Sequence, residues 1–356
     1  MTRLRALLVG VEEYTNMPSL NMPSAKRDIA RIRGLLDSLA SANRPLTRML
    51  LPDPGLDPKI AGQSESQQTD KATIMYQLKE FLFKDAGAGD TLVFYFSGHS
   101  LLFTDPADAT RVDEVLCPSD GGTSKIELNI HADEVVELAH DALKNGACLE
   151  IILETCSASG FVKTNGQTIY GFGCYFGGSG FPGGSGAVWS ASLLQEHSHS
   201  GPVPSCSYGD VVGLFTEFFC KNFAGKTRLD LLRSVKTELD AYALDCNTHC
   251  CANSSNKMLA QTPKVYCLNG STAYPLTTGC AATPEASVTV PTMVYTLNDL
   301  GRLRLFFSPT STSSAGGLAS AAAGGSGGLP ISGSSASTLS LKFLKKPAIC
   351  GPALLP

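Results

Sequence analysis

Short apolar runs alternate with stretches of helical periodicity over the first two-thirds of the chain, and this alternation limits the fold more than any other feature. Residues 4–11 (LRALLVGV), 47–51 (TRMLL), 90–100 (DTLVFYFSGHS), 149–160 (LEIILETCSASG), 187–192 (AVWSAS) and 264–268 (KVYCL) read as strands. Between them, Ile29, Ile32, Leu35, Leu36 and Leu39 predict a helix over 24–41, and Ile74, Leu78 and Leu82 one over 72–84. Further helices fit 132–145, stopped by Gly146, and then 210–222 and 228–242. Strands separated by helices predict an α/β sandwich around a mainly parallel sheet.

Composition sets the outer bounds. With 356 residues, 43% of them hydrophobic, the chain can build one large domain or two smaller ones. A net charge of −4 gives no strong pull toward nucleic acid or an acidic membrane surface, so neither is expected as a partner. The opening MTRLRALLVGV has a basic start, but its apolar run is too short for a signal peptide and reads as the first strand. No apolar run approaches membrane-spanning length. Without a secretory signal the 12 cysteines are expected to be reduced thiols in a cytoplasmic protein.

Residues 1–270 form the expected main domain. Residues 271–307 follow as a β-like extension, with SVTVPTMVY (287–295) and LGRLRLFF (300–307) as its pieces. Residues 308–356 form a tail whose Ser/Gly/Ala-rich part, 308–340, is expected to be disordered. Residues 52–70 read as a polar exposed loop, and the glycine-rich 170–186 as too flexible for a regular element.

Two strand ends carry chemistry. His99 closes one apolar run and Cys156 another, and the end of an open parallel sheet is where ligands sit. An imidazole that takes a thiol proton yields a thiolate able to attack a carbonyl, and the imidazolium then protonates the leaving amine. Other clusters are less specific. CNTHCC (246–251), with Cys267 further on, does not match a paired C-x-x-C zinc site and also reads as a loop of ordinary thiols. No G-x-S-x-G elbow occurs, which argues against a serine α/β-hydrolase.

Taken in order, ALLVGV, SAKRDIARIRGLL, DTLVFYFSGHS, DEVLCPSD, ILETC, AVWSAS, GLFTEFF and QTPKVY resemble the caspase-like cysteine peptidases, and within them the metacaspases. The resemblance covers roughly residues 4–268. It implies a caspase-like three-layer sandwich with a six-stranded sheet. It also implies Cys156 as nucleophile, His99 as acid and base, and an oxyanion held by the N–H groups of Ser100 and Cys156. Asp28 and Glu154 match acids that would take Arg or Lys before the scissile bond of a peptide or protein substrate, and Ser190 joins them in substrate binding. The strand period puts Glu154 on the same face as Cys156. Self-processing in the segment after the nucleophile would fall at Lys163, the only basic residue between Cys156 and Lys221. No cofactor is required, but calcium is an activator in many metacaspases. Among Asp105, Asp108, Asp113, Glu114 and Asp120, the residues to test are Asp113 and Glu114, although no EF-hand spacing occurs and a solvated loop explains the charges equally well. Two departures stand out. Ser100 replaces the family's usual glycine, and Glu-Thr-Cys-Ser-Ala-Ser-Gly replaces Asp-x-Cys-His-Ser-Gly. They motivate a second reading, a caspase-like scaffold that binds peptides or partners without cutting them.

Overall fold

The structure, a computed structural model, describes residues 3–41, 46–51, 69–104, 112–123, 126–156, 158, 185–193, 196–202, 211–250 and 260–268, and strand pieces at 294–297, 303–306 and 342–343. In chain order the elements are β1 (Leu4–Gly10), α1 (Ser24–Leu39), β2 (Leu46–Leu51), α2 (Lys71–Gln77, continued by a π-helical turn Leu78–Phe83), β3 (Thr91–Ser97), β4 (His99–Thr104) and β5 (Val112–Cys117). There follow β6 (Ile130–His131), α3 (Ala132–Lys144), β7 (Cys148–Glu154), β8 (Ser185–Ser190), β9 (Ser200–Pro202), β10 (Val211–Gly213), α4 (Leu214–Asn222), α5 (Arg228–Asp245) and β11 (Lys264–Leu268). The last pieces are β12 (Val294–Leu297), β13 (Leu303–Phe306) and β14 (Lys342–Phe343).

The main sheet has the order β11-β8-β7-β3-β1-β2. Its first five strands in sequence are parallel, and β11 pairs antiparallel with β8. β1, β3 and β7 are buried along their whole lengths, as expected of largely apolar runs covered on both faces. Strand alternation splits the core into two layers. Leu7, Val9, Phe94, Phe96, Ile151 and Leu153 pack with Ile74, Leu78 and Leu82 and with Val135, Ala139 and Leu143 of α3. Ala6, Leu8, Val93, Tyr95 and Ile152 pack with Ile29, Ile32 and Leu36 of α1, Phe215 and Phe219 of α4, and Leu231, Val235 and Leu239 of α5. The expected three-layer α/β sandwich with a six-stranded, mainly parallel sheet is therefore what forms.

Three local outcomes differ from the sequence reading. The run 90–100 is not one strand: β3 ends at Ser97, and His99 opens β4, which pairs antiparallel with β5 in a separate sheet of order β14-β4-β5-β6. The polar loop expected after His99 therefore contains two ladders, because Leu101, Leu102, Val115 and Leu116 are apolar enough to be buried there. The helix expected from 210 starts at Leu214, since Val211–Gly213 is used in pairing with Ser200–Pro202. The glycine-rich stretch ends inside β8. Gly186 has φ +133°, and a Cβ there would lie 1.9 Å from Leu149 O. Replacing Gly186 by alanine is expected to destabilise the protein by at least about 2 kcal/mol and to lower Tm by several degrees in thermal unfolding. An unchanged Tm would contradict the close approach.

Met1–Glu285 with Ser340–Pro356 makes one compact unit and Ala286–Leu339 a second. Within the second, β12 and β13 pair antiparallel, Val294 opposite Phe306. Within the first, Lys342 and Phe343, in the segment read as tail, pair with Leu102 and Leu101 of β4. The polar loop 52–68 and the segments 170–184 and 308–340 lie outside the described residues. Among the described residues no helix is long and apolar enough to cross a membrane.

Candidate active site

The parallel pairing of β3 with β7 sets Ser97 opposite Glu154, so His99 and Cys156 each lie two residues past matched positions on neighbouring strands. Gly98 lets the chain turn between β3 and β4. A Cβ there would come within 2.8 Å of the Phe96 ring and 3.0 Å of the Tyr14 hydroxyl. Tyr14, just past β1, is fully buried, and its hydroxyl accepts a hydrogen bond from the His99 N–H at 2.7 Å. Its ring centroid is 5.0 Å from the imidazole. Burial pushes the Tyr14 phenol well above its usual value, so it stays protonated.

The His99 ring is oriented by the backbone. Nε2 lies 2.8 Å from Leu20 O. A carbonyl can only accept, so Nε2 carries a proton and Nδ1 is the lone-pair nitrogen of the neutral ring. Cys156 is buried, with Sγ 3.8 Å from Nδ1 of His197 and 4.0 Å from Ser198 O. The Ser100 hydroxyl donates to the Cys156 carbonyl. The residue that replaces a glycine thus braces the turn that carries the thiol, a bond glycine could not make. His99, Ser100 and Cys156, expected together from sequence, share this edge.

Asp28 and Glu154 are both fully buried on the α1/α4 side of the same edge. Asp28 accepts from Gly213 N–H at 2.6 Å and from the Ser97 hydroxyl at 2.7 Å. Glu154 accepts from Thr216 N–H at 2.7 Å and from the Ser198 hydroxyl. Thr216 lies in the first turn of α4 and Gly213 precedes it, so the two carboxylates anchor the amino end of that helix, where the free N–H groups and the dipole favour negative charge. Ser190 ends β8, is buried, and donates to Ser192 O at 2.5 Å.

Glu114, read from sequence as an acid in a loop, is a buried strand residue. It accepts a hydrogen bond from Thr155 Oγ1 at 3.1 Å, one residue before Cys156. Asp113 stands beside it in β5 opposite Phe103. Lys163, Asp105 and Asp108 lie outside the described residues, and so does Cys251. Cys246, part of the CNTHCC cluster, is buried in the α1/α4/α5 layer. Among the described residues no group of three or more His, Cys, Asp or Glu side chains is arranged to hold a metal ion. Cys117 sits opposite His99 across the β4–β5 ladder, and burial pushes its thiol up to about 12, which keeps it protonated and unreactive.

Sequence reading missed His197, Tyr14, Gln261 and Thr216. A signal for His197 existed: the HSH of 197–199 follows the strand that neighbours the Cys156 strand, and so returns to the same edge. Tyr14 follows β1, whose end abuts β3.

β3 and β7 run side by side in a six-stranded, mainly parallel sheet, and His99 and Cys156 follow their carboxyl ends, an arrangement consistent with a caspase-like α/β sandwich. Residues 4–165, a little under half of the chain, match the family model of the metacaspase, peptidase C14 domain. The segment holding His99 and Cys156 is thus similar to the metacaspase peptidase domain. Comparison with curated proteins gave no match.

Proposed function

We propose that the protein is a cysteine endopeptidase that cleaves after Arg or Lys, with Cys156 as nucleophile and His99 as general acid and base. The observation that carries this reading is the pairing of strand ends. His99 and Cys156 follow matched positions of β3 and β7, the Ser100–Cys156 hydrogen bond ties the two turns, and Leu20 fixes the ring with Nδ1 basic. The imidazole takes the thiol proton. The sulfur attacks the scissile carbonyl, and N–H groups of Ser100 and Cys156 receive the oxyanion. The imidazolium protonates the departing amine, and water releases the acyl group through the same ring acting as base. Cys156 is buried in this structure.

The basic preference rests on Asp28 and Glu154. A cation leaving water needs a carboxylate to replace its hydration, and these two acids converge behind the nucleophile strand, with Ser190 at the end of the adjoining strand. Lys163 is the self-cleavage point in this reading; calcium enters only as a variable of the assay, since Glu114 is buried and already bonded to Thr155.

Fluorogenic peptides ending in Arg, Lys or Asp test the proposal, with and without calcium. Arg and Lys peptides are expected to be cut and Asp peptides spared, and Cys156→Ala should abolish cutting. A denaturing gel of the intact protein should show one cut that is absent from both Cys156→Ala and Lys163→Ala. Preference for Asp, or hydrolysis that survives Cys156→Ala, overturns the reading.

A further inference from the structure

The imidazole nitrogen 3.8 Å from the Cys156 sulfur belongs to His197, a residue outside the family match. Its loop is fixed on either side of it. Glu196 accepts from Leu193 N–H at 3.0 Å, Thr262 N–H at 2.8 Å and Thr262 Oγ1 at 3.1 Å. Ser198 donates to Glu154, and Gln261 donates to Ser198 Oγ at 3.3 Å and to Ala191 O at 3.1 Å. Gln261 also accepts from His199 N–H at 3.1 Å. With residues 196, 198 and 199 pinned, His197 is held with its ring against the thiol. Its side chain is half-buried, so the contact is partly shielded from water.

We propose that His197 is a thiolate-binding residue: its Nδ1–H donates a hydrogen bond to the Cys156 sulfur once His99 has taken the thiol proton. This rests on Cys156 being the nucleophile, and it adds a second imidazole that the family match does not supply. No proton changes hands at His197; the bond it makes is stronger to the anion than to the thiol, and it therefore favours ionisation. The other titratable neighbours act differently. On the His99 side, Tyr14 and Cys117 are kept protonated by burial. Glu114, reached through Thr155, accepts a hydrogen bond rather than giving one. On the His197 side, Glu154 and Glu196 are likewise acceptors, and the His199 ring lies 6.3 Å from that of His197.

The test reads the thiol itself. The pH dependence of Cys156 alkylation by iodoacetamide, followed by peptide mass mapping of the full chain, reports thiolate without needing any substrate. His197→Ala is expected to move the midpoint up by about one pH unit or more, toward an ordinary thiol, with about a tenfold loss of alkylation rate at neutral pH. His197→Asn, whose amide N–H can face the sulfur, should recover most of that shift, and His197→Leu, which restores bulk alone, should not. Melting curves on each variant confirm that it is folded. An unmoved midpoint in His197→Ala, or equal recovery by Leu and Asn, overturns the assignment. Because alkylation is independent of turnover, the two readings separate. Hydrolysis surviving Cys156→Ala removes the nucleophile reading, whereas a dead Cys156→Ala with an unmoved His197→Ala profile removes only the role of His197.

Discussion

His99→Ala is expected to lower kcat/KM for an Arg or Lys peptide by about 100- to 10,000-fold, equivalent to about 3–5 kcal/mol of transition-state stabilisation. The ring is committed at Nε2 to Leu20 O and flanked by Tyr14, so no other described group is oriented in the same way to shuttle a proton between sulfur and leaving amine. His197 touches the sulfur but in this reading only donates to the thiolate, so it should not rescue turnover. The loss should fall mainly on kcat, since His99 acts on the reacting atoms. Steady-state kinetics with a fluorogenic peptide measures this. A decrease below about fivefold would mean that the imidazole shown here does not serve as acid and base.

Glu150→Ala is expected to cost about 3–5 kcal/mol of stability, because it breaks a buried ion pair from one side. Glu150 is fully buried on β7. One of its oxygens accepts from Arg228 Nη2, itself 2% exposed at the start of α5, and the other accepts from Trp189 Nε1 at 2.8 Å. Removing the carboxylate strips a buried guanidinium and an indole N–H of this acceptor together. For a protein of this size the Tm should fall by roughly 4–8 °C. Adding Arg228→Met to Glu150→Ala should cost less than the two single changes summed, since the stranded charge is gone. Thermal unfolding of the four proteins gives the cycle. A Tm within about 2 °C of the parent in Glu150→Ala would show that the pair contributes no stability.

The central sheet was readable because β1, β3 and β7 are short, largely apolar runs, broken inside only by Arg5 and Glu150, as suits a doubly covered parallel sheet. α1 was readable for a related reason, its buried Ile29, Ile32 and Leu36 recurring at helical spacing. β4 and β5 were not, since the apolar run of β3 continues through Gly98 into β4 with no local break to mark the change of sheet. The same contrast runs through the site. His99 and Cys156 each follow the end of a main-sheet strand by two residues, so their position follows from local pattern. His197 and Tyr14 reach the site through loops held by long-range hydrogen bonds, those of Glu196 and Gln261 with their partners and that of His99 with the tyrosine hydroxyl. Such contacts have no signature in neighbouring residues. Ser100 was legible as a departure from glycine, but its hydroxyl bond to Cys156 O depends on where the nucleophile turn lies.

Asp28 and Glu154 hold the first turn of α4 as well as standing behind the nucleophile strand. A Cβ on Gly213 would already sit 2.5 Å from the Glu154 carboxyl group, so there is little slack. In the proposed reading, selectivity and architecture are therefore inherited as one trait. A lineage that exchanged these acids for basic residues, to accept acidic substrates, would unseat a helix in the same stroke, and new tastes would have to evolve by reshaping the rim and leaving the floor untouched.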